Sequence, residues 1–305
     1  MAINENGLVS SEWLYTKLQS CGAFELSGQA ADDAVRESGL ILFDATYFLT
    51  DKTRDPYAEY VDERLPGSRF FDITTIADMS SDWPNTVPCV QEFEKAVQAL
   101  GCNSDHFIIA YDRLGLCSAA RVWWLFRHFG HESVAVLDGG LVKWKAGQLP
   151  LVSGAVQFPA GNFKASVRPS LLRSAEQVQA IVASKPSTSV QIVDARGAGR
   201  FAGNSPEPRA GLRAGHIPGS YNLPYDRLLN EDKTYKSEAE IRKLLDDAGI
   251  SLDKPIVTSC GSGVTACILF LAFERLGAQD TALFDGSWTE WGSREEFPVS
   301  TLNAS

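Results

Sequence analysis

The sequence predicts an α/β protein built from two similar domains, each a mainly parallel sheet flanked by helices. Two observations carry this. Four blocks in the first half recur in the same order in the second, at offsets near 150 residues. Within each half, short runs rich in Val, Ile and Phe, bounded by turn residues, alternate with helix-like stretches, the pattern of β-α units. At 305 residues the chain has room for one large domain or two of ordinary size.

In order, "LILFDATYFL" (40–49), "ERLPGSRFFDI" (63–73), "HFIIAYDRLGLCSAARVWWLFRHFG" (106–130) and "SVAVLDGGLVKW" (133–144) make the first copy. "VQIVDARGAGRF" (190–201), "GHIPGSYNLPY" (215–225), "KPIVTSCGSGVTACILFLAFERLG" (254–277) and "DTALFDGSWTEW" (280–291) make the second. Asp44 matches Asp194, Pro66-Gly67-Ser68 matches Pro218-Gly219-Ser220, and Trp144 matches Trp291. One matched block arises easily by chance; four in register indicate duplication. Ser174 with Gln177 and Ser237 with Glu240 have capping-box spacing at helix starts. The Gly- and Pro-rich stretch 146–163 has no period and reads as the connection. The expected boundaries are 1–147 for the first domain, 148–166 for the linker and 167–305 for the second domain.

Composition narrows the function. With 44% hydrophobic and 22% charged residues the chain is of the soluble globular type. No apolar run approaches the ~20 residues of a membrane span. The N-terminus lacks the marks of a secretion signal or transit peptide, so a cytoplasmic protein is expected, or a mitochondrial one if a targeting segment is missing. A net charge of −10 argues against nucleic acid or anionic membrane as partner. The six cysteines (21, 89, 102, 117, 260, 267) show no C-x-x-C spacing and the four histidines no ligand pairing, so neither a disulfide framework nor a metal site is expected.

One stretch demands chemistry: "PIVTSCGSGVTACILFLAFERLG" (255–277), an apolar run, a cysteine, a glycine-rich turn, then a helix-like run. Gly261-Ser262-Gly263-Val264-Thr265-Ala266 satisfies the dinucleotide fingerprint, and Asp285 lies where a ribose contact would be sought. Against this, the motif sits late in its domain and its duplicate "YDRLGLCSA" (111–119) lacks the glycines. A phosphatase loop needs an arginine six positions after the cysteine to clamp phosphoryl oxygens; here that position is Ala266. A structural buried cysteine leaves the two flanking glycines unexplained. The remaining reading places Cys260 between strand end and helix start, facing unpaired main-chain N–H groups that favour an anion. The same concavity suits a second sulfur attached to the first, and hence sulfur transfer through a covalent intermediate.

On these residues the chain resembles the tandem-domain rhodanese superfamily, and within it the 3-mercaptopyruvate sulfurtransferases, from about residue 8 to 297. "FDATYFL", "LPGSRFFDI", "SAARVWWLFRHFGH", "VLDGGLVKW", "VDARGAGRFAGNSPEPR", "GHIPGSYN", "SCGSGVTAC" and "DGSWTEW" carry the likeness. The resemblance implies two rhodanese-like domains, the first catalytically silent, with Asp112 at the counterpart position of Cys260 and Cys117 a packing residue. It implies Cys260 and Ser262 as catalytic residues and Gly261, Ser262, Gly263, Val264 and Thr265 as the persulfide cradle. Arg200 and Arg209 match substrate-binding arginines, whose forks suit a carboxylate and a developing enolate oxygen; the competing reading for each is an ion pair with a nearby acid. Arg196, His216, Trp288 and Trp291 are expected to be structural.

Uncharged Gly261 and Ser262 after the cysteine favour mercaptopyruvate over the dianion thiosulfate as donor. Thiosulfate:cyanide transfer, or a non-catalytic sulfur-relay or redox module, is the alternative. Family members carry His before Ile-Pro-Gly in the first domain, a residue considered for proton handling. Here Arg64 stands there, expected to add positive charge at the domain cleft and bind substrate, with Asp55 as a possible partner. No cofactor is required. The expected partners are a small-molecule sulfur donor and a thiol acceptor such as thioredoxin or a low-molecular-weight thiol, with the chain a monomer.

Overall fold

The computed structural model describes residues 7–302 apart from 185 and 188. The outermost ends of the two expected domains lie outside the described residues. The chain divides into two compact units. The first takes in the chain up to Ile76, Pro88–Val167 and Glu231–Tyr235. The second takes in Ala77–Val87, Arg168–Asn230 and the chain from Lys236 onward.

The first unit's strands are β1 (Leu8–Val9), β2 (Leu40–Asp44), β3 (Ser68–Phe70), β4 (Phe107–Tyr111) and β5 (Val134–Leu137). They form one sheet in the order β1-β5-β4-β2-β3. The second unit's strands are β6 (Leu172–Arg173), β7 (Gln191–Asp194), β8 (Tyr221–Asn222), β9 (Ile256–Ser259) and β10 (Thr281–Phe284). Their order, β6-β10-β9-β7-β8, repeats the first, and every pairing in both sheets is parallel. The duplication read from the sequence reappears as duplicated topology: two tandem α/β domains of one plan.

Parallel sheets of this kind are covered on both faces, so their central strands read as continuous apolar runs rather than alternations. Every residue of β2 is buried, and so is every residue of β9. The helix Ala266–Arg275 is buried from Ala266 through Phe273 and packs on β9 and β10. That burial explains why its sequence lacks a polar face. Both capping boxes are formed: Ser174 and Gln177 exchange bonds at the helix Ala175–Ala183, and Ser237 and Glu240 at the helix Glu238–Ala248. No helix among the described residues is long and apolar enough to cross a membrane.

Arg64 requires a correction. It lies in the first unit with a side chain only 2% exposed, paired bidentately with Asp32 at 2.8 and 2.7 Å. Its Nε donates to the Gly154 carbonyl. The expected partner Asp55 instead caps the helix Pro56–Asp62, accepting from the Tyr57 and Ala58 amides. A guanidinium withdrawn from water needs a carboxylate and carbonyls around it. Arg64 has both, so it holds the first unit together rather than facing a substrate.

Candidate active site

Cys260 follows β9 directly, at the carboxyl ends of the second unit's strands, where β7 pairs alongside and Asp194 registers with Ser259. Ligands in open α/β sheets collect at such strand ends. Residues 261–265 then lead into the helix Ala266–Arg275. The turn after β10 pins this loop. Cys260 N donates to Ser287 Oγ at 3.0 Å, Trp288 N donates to the Cys260 carbonyl, and Thr289 donates through both N and Oγ1 to the Gly261 carbonyl. Ser287 holds φ +49, a left-handed conformation costing ~1–3 kcal/mol for a non-glycine residue. Its hydroxyl offsets that by accepting from Cys260 and donating to the Phe284 carbonyl.

Cys260 is 2% exposed, and Ser262 and Thr265 are also buried. Gly263 takes φ +71, open to glycine and strained for other residues. Among the described residues, the N–H groups of Gly261, Ser262, Val264 and Thr265 donate to no protein acceptor. Successive unpaired main-chain donors in such a turn suit an anion. Asn85, itself buried and at φ +62, donates its Nδ2 to Ser262 Oγ at 3.3 Å. It belongs to the second unit through Ala77–Val87, which is also held by Val87 N donating to Asp285 Oδ2 at 2.6 Å. Asn85, and not the Arg64 position, is what the structure brings to the loop serine.

Arg200 lies beside the loop: a Cβ built on Gly261 would sit 3.2 Å from Arg200 Nη2. A side chain at 261 would press on this guanidinium and oblige it to shift by a few tenths of an ångström. Arg209 Nη1 reaches Thr289 Oγ1 at 3.4 Å, the same hydroxyl that donates to Gly261. Both arginines are partly exposed. Arg200 is also ion-paired, as the competing reading had it: Nε and Nη2 donate to Glu207, the latter at 2.5 Å. Glu207 is shared with Arg196, which is buried and forks onto Asp194, bonds the Gly215 carbonyl and lies over the Trp288 ring. His216 Nδ1 donates to the Phe201 carbonyl and its ring stacks on the Phe201 ring, and both Trp288 and Trp291 are buried with their indole N–H groups satisfied. These four residues are structural, as expected.

The first unit supplies an internal comparison. Asp112 follows β4 as Cys260 follows β9, and it is fully buried. Its Oδ1 accepts from the Leu114 N–H, and its Oδ2 from those of Ser118 and Ala119, each at 2.8 Å. Burial raises its carboxyl pKa, while these main-chain donors oppose the rise. The strand-to-helix loop of this fold therefore wraps an acidic group with backbone N–H groups, and in the first unit the group is built in. Cys117 is buried nearby in sequence.

A central parallel strand followed by a buried cysteine, a loop with unpaired main-chain N–H groups and two arginines tied to that loop is an arrangement suited to covalent group transfer at sulfur. Rhodanese-like domains are matched over residues 30–147 and 174–294, and the chain belongs to that family. The 3-mercaptopyruvate sulfurtransferase of Escherichia coli (strain K12) is 42% identical over 249 residues, 82% of this chain and 87% of that protein. The Arabidopsis thaliana thiosulfate/3-mercaptopyruvate sulfurtransferase 1, mitochondrial, is 36% identical over 319 residues, 98% of this chain and 79% of that protein. The crystal structure of SseA from Escherichia coli superposes with a TM-score of 0.78 at 35% identity, covering 93% of this chain and 99% of that one. The chain is a sulfurtransferase.

Proposed function

We propose that the enzyme takes sulfur from 3-mercaptopyruvate onto Cys260 and passes it to a thiol acceptor or cyanide. The Cys260 thiolate attacks the donor's sulfur. A sulfur–sulfur bond forms, the carbon–sulfur bond breaks, and its electron pair leaves as the pyruvate enolate, which takes a proton to become pyruvate. The loop N–H groups of residues 261–265 hold the persulfide, and Ser262 stands within the loop to assist that protonation. Attack by a thiolate or cyanide on the outer sulfur regenerates Cys260. Asp112 fills the equivalent cradle of the first domain, which carries no sulfur.

The observation that supports this most is Arg200 over Gly261 with Arg209 tied in through Thr289. Two guanidinium forks beside a nucleophilic sulfur suit a carboxylate and an enolate oxygen, and a mere relay has no use for them. The test is pyruvate release from 3-mercaptopyruvate together with intact-protein mass. Wild type gains about 32 Da, the mass of one sulfur, on donor treatment; Cys260→Ser gains nothing and releases no pyruvate; Arg200→Ala loses on the order of 100-fold in kcat/KM, the worth of one oxyanion donor. Equal activity in all three overturns the assignment. Faster turnover with thiosulfate than with 3-mercaptopyruvate would shift it to the alternative donor.

A further inference from the structure

We infer that Glu207 determines which donor charge the site accepts, by leaving the arginine cluster a single net positive charge that matches a monoanion and disfavours a dianion. This rests on the donor chemistry proposed above and adds a residue to it. The cluster is a continuous chain of ion pairs, Asp194 to Arg196 to Glu207 to Arg200. Two carboxylates and two guanidinium groups in that chain cancel. Arg209 has no carboxylate within ion-pair distance among the described residues. It supplies the one charge left over.

Glu207 is placed to do this. Its side chain is 3% exposed, so dissolved salt screens it little. One carboxylate serves two cations: Oε1 takes Arg196 Nη1 at 2.8 Å and Oε2 takes Arg200 Nη2 at 2.5 Å. Arg200 thereby commits its Nε and Nη2 edge to Glu207, leaving Nη1 uncommitted, 3.9 Å from the Cβ position of Gly261. A buried acid directly behind a substrate-facing arginine keeps that arginine's geometry and removes most of its long-range pull. A second negative charge on the donor then finds no counter-charge, at a cost of tenfold or more in binding on the order of one unscreened pair. Glu207 acts through Arg200 and is a positioning residue.

The measurement is kcat/KM for thiosulfate and for 3-mercaptopyruvate in wild type, Glu207→Gln and Glu207→Asp. Glu207→Gln keeps the shape, removes the charge, and raises the thiosulfate-to-mercaptopyruvate ratio about tenfold or more; Glu207→Asp keeps the wild-type ratio. A purely structural role lowers both donors by the same factor and leaves the ratio unmoved, which overturns the inference. Wild type alone gives a second test: pyruvate, a monoanion, inhibits more strongly than oxalate, a dianion of similar size, and the reverse order overturns it. Should wild type draw sulfur from neither donor, the donor reading itself fails, whatever the inhibitors do.

Discussion

At Ser262 the hydroxyl meets an amide, Asn85 Nδ2, that keeps its proton at every working pH. A relay through an ionisable side chain is therefore absent from this contact, and Asn85 orients the serine instead. Its φ of +62 suits Asn or Gly, so Asn85→Gly removes the side chain without straining the backbone. That variant should lower kcat for pyruvate release by about threefold to tenfold, the worth of one neutral hydrogen bond, with KM little changed. In a Ser262→Ala background the same substitution should do nothing further, a coupling that a double-mutant cycle reads directly. At this scale the sequence offered Cys260, the loop, Arg200 and Arg209 as candidates, because cysteine, turn and helix are contiguous and the arginines fall in motifs that resemble the family's. Asn85 was illegible because 177 positions separate it from Ser262. Glu207 had a signal, an acid inside "SPEPR" between two arginines, yet which arginine it serves is set by the turn and not by spacing. Arg64 was misread because its partner Asp32 lies on the helix Gln29–Glu37, 32 positions away.

Among the elements, the strands β2 and β7 end on matching aspartates that solve burial differently. Asp194 is forked by Arg196. Asp44 accepts from Thr46, with Arg113 Nε 3.6 Å away, and burial pushes its pKa from 3.8 up to about 6. The native state then binds more protons than the unfolded chain between those values, so stability falls as pH rises through that window. Asp44→Asn takes up no proton there. The stability difference, wild type minus variant by urea unfolding, should drop by on the order of 2 kcal/mol from pH 4.5 to 7.5; a constant difference would refute the shift. At the helix Glu238–Ala248, Ser237→Ala should cost about 1 kcal/mol in the same assay through loss of its cap. Capping boxes and apolar central strands were legible because their information is local. The two-residue strands β1, β6 and β8 carry too few positions for any period, and nothing in the composition of Ala77–Val87 assigns it to the second unit.

Across the whole molecule, one duplicated plan has been put to two uses, and the sheet orders show how little the plan itself changed. The difference that decides their use lies in the loop after a central strand, beginning with Asp112 in one unit and Cys260 in the other. In the first unit the donors are taken by the Asp112 carboxylate, tethered to the same loop and unable to leave. In the second, the equivalent donors are open beside Cys260. A lodger that never departs closes the first berth to traffic. Each polypeptide should therefore hold one sulfane atom when saturated, and rapid mixing with excess donor and no acceptor should give a pyruvate burst of one equivalent per chain. An amplitude of two would mean that the halves share the labour after all.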